Sequence, residues 1–64
     1  MIKLKVEELE KKQRIDKYIS NNSEISRNDI KTLIEEHAVS VNGIEVRKNK
    51  FNVKNGDEIF IAKL

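Results

Sequence analysis

The chain has 64 residues, of which 38% are hydrophobic and 38% are charged, and its net charge is only +2. A chain of this length forms one small domain, so we expect a single domain over residues 1–64, and the lack of cysteine excludes disulfides and thiolate metal sites. The chain has no apolar run close to the roughly 20 residues of a membrane helix. We therefore expect no membrane partner, and the cysteine-free composition fits a cytoplasmic location.

The first predicted elements are a strand and a helix. In residues 2–6, IKLKV, apolar side chains alternate with lysines, and this pattern predicts a short strand with one buried face. Ile15, Tyr18 and Ile19 follow at helical spacing and predict a two-turn amphipathic helix over residues 14–20. The segment SNNSE then ends this helix, because serine and asparagine side chains compete for backbone hydrogen bonds.

A second helix is predicted from Ser26 to Glu36. Ser26 is suited to cap its start, Asp29 is suited to answer from the first turn, and three apolar residues form one face. The far end has no glycine to leave the helix. We therefore expect His37 or a neighbour to take the left-handed exit conformation, in which histidine is enriched.

Two asparagine–glycine pairs mark turns in the second half of the chain. Asn42-Gly43 lies between alternating apolar residues and predicts a hairpin with a type I′ turn. Asn55-Gly56 repeats the pattern, although a longer loop fits there equally well. The segment EIFIAKL (residues 58–64) predicts a closing strand, with its isoleucines inward and its phenylalanine outward or at an edge.

This order of elements predicts an α+β fold, with two short helices packed on one face of a small, mainly antiparallel sheet. The candidate core is almost entirely aliphatic and draws on every predicted element. It consists of Ile2, Leu4, Val6, Ile15, Tyr18, Ile19, Ile25, Ile30, Leu33, Ile34, Val39, Val41, Val46, Val53, Ile59 and Ile61.

The sequence offers little for catalysis. His37 is the only histidine, and the adjacent glutamates at 7–8 and 35–36 do not share a helix face, so they are poor acid–base pairs. Glycine-rich phosphate loops and the spacings typical of zinc or calcium sites are absent. We therefore predict that this chain is not an enzyme by itself and has no catalytic residue, metal or cofactor. Asp16, in the first turn of a helix, is interpreted as a structural ion pair or cap.

Cations form the most informative pattern. Arg27 and Lys31 lie one turn apart on the second helix, and Arg14 and Lys17 lie three residues apart on the first. The run RKNK at residues 47–50 adds three more cations. If the helices form a hairpin against the sheet, these residues share one outer surface, although a run of charges is also typical of a plain solvated face.

Arg27 occupies a position where helices prefer acids. One explanation is a surface ion pair with Glu24 or Asp29, and the other is a phosphate site formed by the arginine and the N–H groups of the helix start. The sequence alone leaves both open. With only three aromatic residues, and Tyr18 expected in the core, recognition of single strands by stacking is disfavoured. A helix start and a basic loop are better suited to shaped or double-stranded RNA.

In this order, the segments RIDKYIS, ISRNDIKTLIEE and VSVNGIEVRKNKFNVKNGDEIFI resemble the S-four RNA-binding domain, named after ribosomal small-subunit protein four. The resemblance runs from about residue 14 to residue 61. It implies the αL RNA-binding motif of two helices and a following hairpin, with Asp16 structural and Gly43 and Gly56 as turn glycines. The RNA-binding residues that it implies are Arg14, Lys17, Ser26, Arg27, Asn28, Lys31, Arg47, Lys48 and Lys50.

The sequence departs from the family pattern at two places. It has EHAV where the family often carries a glycine before the first hairpin strand, and Asn55 where a proline is frequent. An alternating strand ahead of the RIDK segment is most similar to the N-terminal domain of large-subunit ribosomal RNA pseudouridine synthases. We therefore expect a module, excised or free-standing, that binds ribosomal RNA and targets a modification enzyme, and that is monomeric when isolated.

Three alternatives remain at the level of the sequence. The first is a free-standing RNA-binding protein associated with ribosomes or heat shock, and the second, weaker one is a tyrosyl-tRNA synthetase tail. The third is a protein-interaction module that pairs the EIFIAKL segment, as an exposed sheet edge, with another chain.

Overall fold

The computed structural model describes residues 2–62. The elements in chain order are β1 (Ile2–Lys5), β2 (Gln13–Arg14), α1 (Ile15–Asn22), α2 (Arg27–Glu35), β3 (Val39–Val41), β4 (Ile44–Glu45), β5 (Asn52–Val53) and β6 (Glu58–Ile61). Both predicted helices are present, with ends shifted by one or two residues. None of the helices in this part of the chain has the length and apolar character needed to cross a membrane.

The strands form two antiparallel sheets. The larger sheet has four strands in the order β1-β6-β3-β4, and the smaller one pairs β2 with β5. Inward-facing residues of β3 and β6 join the apolar faces of both helices in one core cluster. The α+β class predicted from the sequence is therefore confirmed.

The core matches the predicted set closely. All the predicted residues are buried except Ile2, Leu4 and Ile25, which are partly buried and pack against the core. Ala38 is buried as well and was missing from the prediction. The helical spacing and the strand alternation were sufficient here, because each places apolar side chains on one face.

The alternative in which EIFIAKL forms an exposed sheet edge is wrong for the described part of this segment, which forms the predicted closing strand. β6 lies between β1 and β3, so its backbone is hydrogen-bonded on both sides, and the edges of the sheet are β1 and β4. Phe60 points away from the core, as expected, with the ammonium of Lys3 5.6 Å from its ring centroid. The remaining two residues of that segment, 63 and 64, lie outside the described residues.

The two asparagine–glycine pairs differ in role. Asn42 and Gly43 have φ angles of 52° and 84°, so the predicted type I′ hairpin between β3 and β4 is confirmed. The second pair forms a tight turn with Gly56 at φ 93°, closed by the Asp57 N–H donating to the Lys54 carbonyl at 3.1 Å. This turn does not join paired strands, because β5 pairs with β2 instead.

The side chain of Asn55 holds the segment between β1 and β2 in place. Its Oδ1 accepts from the Leu9 N–H and its Nδ2 donates to the Leu9 carbonyl, both at 2.8 Å. This residue occupies the position where the resembled family often has proline. Its amide therefore supplies two bonds that a proline side chain is unable to make.

The cap and the exit residue of α2 are as predicted, whereas the Asp29 carboxylate makes no hydrogen bond back to Ser26 among the described residues. The Ser26 hydroxyl accepts from the Asp29 N–H at 3.1 Å, so the predicted N-cap is confirmed. His37 leaves the helix at φ 62°, in the left-handed conformation expected for it. Its Nδ1 lies 2.6 Å from a carboxylate oxygen of Glu45, and this hydrogen bond lowers the pKa of the Glu45 carboxyl. A histidine thus occupies a backbone position for which glycine is the usual choice.

Asp57 is a buried carboxylate that the sequence analysis did not predict. Asp57 accepts from the Lys54 N–H, the Asn42 Nδ2 and the Lys54 ammonium at 3.0 to 3.2 Å. The Lys54 N–H bond is the main cause that lowers the pKa of Asp57, and it prevails over burial, which raises it. The Asn42 Oδ1 also accepts from the Glu58 N–H at 3.0 Å. The side chain of Asn42 therefore links the hairpin turn between β3 and β4 to the turn before β6.

Candidate nucleic-acid interface

Asp16 is the point at which the two helices are joined electrostatically. It lies in the first turn of α1 and is only 2% exposed. One carboxylate oxygen accepts from the Lys17 N–H at 2.7 Å. The other accepts from two guanidinium groups, those of Arg14 at 3.0 Å and Arg27 at 3.3 Å. The start of α1 and the start of α2 therefore converge on a single carboxylate.

The surroundings keep Asp16 ionised. Burial alone raises the pKa of this carboxyl, but the Lys17 N–H, Arg27 and Arg14 stabilise the carboxylate more strongly, so its pKa is lowered overall. The interpretation of Asp16 as a structural ion pair is confirmed. With two arginines around one carboxylate, the group retains a net positive charge.

The position of Arg27 is now explained in part. Its partner is Asp16 on the other helix, rather than Glu24 or Asp29 on its own side of the chain. This ion pair offsets the cost of placing a cation at the start of a helix. The Arg14 and Arg27 side chains remain 43% and 54% exposed, and a guanidinium has five N–H donors, so both can still donate to a ligand.

A second group of cations lines a groove between α2 and the loop after β4. The groove has a volume of about 400 Å³, and Lys31 contributes from the helix while residues 47–50 contribute from the loop. Among the residues that line it, Glu35 is the only acid. Lys31, Arg47, Lys48 and Lys50 therefore face one shared space, as the prediction of a common patch required.

Two connections join the paired arginines to this groove. Arg27 and Lys31 lie one turn apart on α2. At the other end of the loop, the Phe51 carbonyl accepts from the Ile15 N–H at 2.7 Å, next to the β2–β5 pair in which Asn52 opposes Arg14. We call the six cations joined in this way the cationic surface: Arg14, Arg27, Lys31, Arg47, Lys48 and Lys50.

The comparison with protein families agrees with this geometry. The family profile of the S4 domain matches residues 13–59, a range that includes the whole cationic surface. The chain belongs to the S4 domain family. S4 domains bind RNA, and the resemblance inferred from the order of the motifs is confirmed.

A relative of this S4 domain is found within a larger protein. An RNA pseudouridine synthase of Aquifex aeolicus, described as uncharacterized, is 44% identical over 46 residues, which make up 72% of this chain and 19% of that protein. The chain thus spans about a fifth of the length of this curated relative. No solved structure matches the chain.

Three of the predicted RNA-binding residues lie outside the cationic surface of the S4 domain. The Ser26 hydroxyl serves as the cap of α2. Lys17 and Asn28 are exposed in the first turns of α1 and α2. Within residues 2–62, no side-chain hydrogen bond or ion pair links either of them to the cationic surface. Their contact with RNA remains a prediction.

The opposite side of α2 is acidic. Glu24, Asp29 and Glu36 line a groove of about 420 Å³ whose apolar lining is Ile25 and Leu33. The two flanks of α2 therefore differ in charge, because three carboxylates line this groove whereas the groove with Lys31 has Glu35 as the one acid among its lining residues. The net charge of +2 does not reveal this uneven distribution of charge.

Proposed function

We propose that this S4 domain binds structured RNA through the cationic surface and that its natural partner is ribosomal RNA. We further propose that it is the targeting module of a pseudouridine synthase, as the similarity to the Aquifex aeolicus enzyme supports. The observation that carries the RNA proposal is the convergence of Arg14 and Arg27 on Asp16, with Lys31 and the basic loop continuing the same surface.

The surface is suited to phosphates. Asp16 fixes the direction of two planar guanidinium groups, and an arginine fork matches phosphate oxygens in geometry and charge. The lysines along the groove add point charges that follow a phosphate chain. Backbone contacts of this kind recognise the shape of an RNA helix, whose deep major groove is closed to side chains. Isomerisation of uridine would belong to a separate catalytic domain.

The test compares two double variants with equal loss of charge. Arg27→Ala/Lys31→Ala removes two members of the cationic surface, and Lys3→Ala/Lys5→Ala removes two exposed lysines from β1. We expect the first variant to bind a ribosomal RNA hairpin at least about tenfold more weakly at 0.1 M salt. We also expect its log–log salt dependence to fall by about two units, one for each lost contact.

Fluorescence anisotropy gives the affinities, and circular dichroism checks that each variant is folded. Lys31→Ala alone leaves the ion pairs of Asp16 intact, so a loss of binding in this variant is not caused by breaking them. The proposal is wrong if binding by the unmodified domain does not depend on salt, or if the β1 variant weakens binding equally. An NMR titration locates the surface directly, with shifts expected at residues 14–17, 26–31 and 47–50.

A further inference from the structure

Two large apolar side chains are exposed among residues 2–62. Ile44 is 73% exposed and Phe51 is 42% exposed. Phe51 directly follows the basic loop, within the sequence RKNKFNVK. Isolated exposed apolar residues are common on protein surfaces, so exposure alone does not indicate a site. The residues around Phe51 distinguish it from an ordinary exposed apolar residue.

The backbone of Phe51 is fixed on both sides. Its N–H donates to the Lys48 carbonyl at 3.1 Å, and its carbonyl accepts from the Ile15 N–H at 2.7 Å. The next residue, Asn52, pairs with Arg14 across the small sheet. The backbone that carries the ring is therefore held in place beside the small sheet, so only the side-chain torsions of Phe51 need to be ordered when a ligand binds.

Phe51 lies between two shallow grooves. On one side, it lines a groove together with three cations, Arg47, Lys48 and Lys50, and one acid, Glu45. On the other side, it lines a groove of about 190 Å³ together with Ile44, Glu45 and the ion pair between Lys54 and Asp57. This second groove is smaller than the roughly 300–1,000 Å³ of typical small-molecule sites, so it suits one planar group rather than a whole cofactor.

We propose that Phe51 is a stacking platform for one unpaired nucleobase next to the RNA helix held by the cationic surface, with Ile44 as a second apolar contact. This proposal rests on the proposed function and adds a site to it. Every base has a π-face, and the phosphates on either side of an extruded base are anionic. The groove on one side of the ring supplies three cations, Arg47, Lys48 and Lys50, to meet them. An apolar protein partner would not require this arrangement of charge.

The proposal refines the prediction that stacking is disfavoured. Recognition of a long single strand requires several platforms, and Tyr18 is buried while Phe60 lies on the outer face of the larger sheet. A single exposed ring can stack on one base. The preferred RNA would then be a helix with an unpaired nucleotide at its end or in a bulge, which is how proteins most often read RNA sequence.

The experiment uses two hairpin RNAs with the same stem, one blunt and one with a two-nucleotide unpaired 3′ end. Anisotropy titrations at fixed salt compare the unmodified domain with Phe51→Ala and Phe51→Leu. We expect both variants to bind the overhang RNA about 5- to 100-fold more weakly and the blunt RNA within about twofold of the original. Phe60→Ala is the matched control, and it should leave both affinities unchanged.

A spectroscopic readout tests stacking itself. The chain has no tryptophan, so Phe51→Trp introduces a single reporter that keeps an aromatic face. We expect this variant to retain affinity and its fluorescence to be quenched by the overhang RNA. Replacing the unpaired bases by abasic sites should remove both the quenching and the gain in affinity.

The outcomes separate this inference from the proposed function. If the unmodified domain binds blunt and overhang RNA equally, or if Phe51→Ala weakens both equally, the stacking site is wrong while RNA binding by the cationic surface stands. If the domain binds neither RNA, the proposed function fails and this inference fails with it. If the domain self-associates and Phe51→Ala makes it monomeric, the ring belongs to a protein contact and the proposal is overturned.

Discussion

Replacing Asp16 by asparagine removes the charge that joins the two helices while preserving the shape of the side chain. The asparagine oxygen can still accept from the Lys17 N–H, as one carboxylate oxygen does now. Its amide NH₂ would then face the guanidinium groups of Arg14 and Arg27, which are donors as well. Both charge-assisted hydrogen bonds are lost, and two arginines are left close together without their counter-ion.

The structure sets the size of the expected effect. Removing one partner of a fully buried ion pair costs about 3–5 kcal/mol, but the two arginine side chains are 43% and 54% exposed and regain water. The value for a hydrogen bond to a charged group, about 1.5–3 kcal/mol, is therefore appropriate for the loss in free energy of unfolding. For a domain of this size, that loss lowers the melting temperature by about 6–24 °C.

The loss of stability caused by Asp16→Asn depends on pH, and the pKa of Asp16 determines the direction of this dependence. The pKa of Asp16 is lower in the folded protein than in the unfolded chain, where it is about 3.9. Its contribution to stability is therefore complete at pH values above the unfolded pKa and is lost as the pH falls through the folded pKa. The difference between the unmodified domain and Asp16→Asn should be constant near pH 7 and should close below about pH 4.

Urea denaturation followed by circular dichroism at pH 7, 5 and 3 measures this difference. Asp57 also titrates in the acid range, but it does so in both proteins and cancels from the comparison. Glu24→Gln removes an exposed carboxylate and should change stability by less than about 0.5 kcal/mol. Equal stability of Asp16→Asn and the unmodified domain at pH 7, or a difference that persists unchanged at pH 3, would refute the reasoning.

Two further changes test the backbone and turn chemistry by the same urea titration. Asn42→Ala loses two side-chain hydrogen bonds and places alanine at φ 52°, so we expect a loss of about 2–4 kcal/mol. Asn42→Gly should recover only the backbone part of that loss, and full recovery would show that the link to Asp57 is unimportant. His37→Val should cost about 1–2 kcal/mol because a β-branched residue disfavours φ 62°, whereas His37→Gly should be tolerated. Equal stability of the two His37 variants would contradict this account.

Local patterns in the sequence predicted the helices, the first hairpin and most of the core. Helical spacing at Ile15, Tyr18 and Ile19 and the pair Asn42-Gly43 each act over a few neighbouring residues, so one sequence was enough to recognise them. The ion-pair partner of Arg27 was harder to predict from the sequence. Its nearest acids in the sequence are Glu24 and Asp29, and only the packing of α1 against α2 brings Asp16 closer.

The errors concern contacts between distant parts of the chain. Alternation in β6 shows which side chains face inward, but it carries no information about which strands lie beside it. β2 and β5 have two residues each, too few for any periodicity to be visible. The sequence NGD is typical of an exposed turn, and the burial of Asp57 depends on contacts with residues as distant in the sequence as Asn42, 15 residues earlier.

The separation of charge across α2 bears on how quickly the domain finds its ligand. Three carboxylates line one flank, whereas the groove on the other flank has four cations and one carboxylate, Glu35, and this imbalance produces a dipole moment even though the net charge is +2. The field of a polyanion exerts a torque on such a body, so the domain turns its cationic flank forward before the two molecules touch. More collisions then begin in the productive orientation, and this advantage in association rate shrinks as added salt shortens the range of the field.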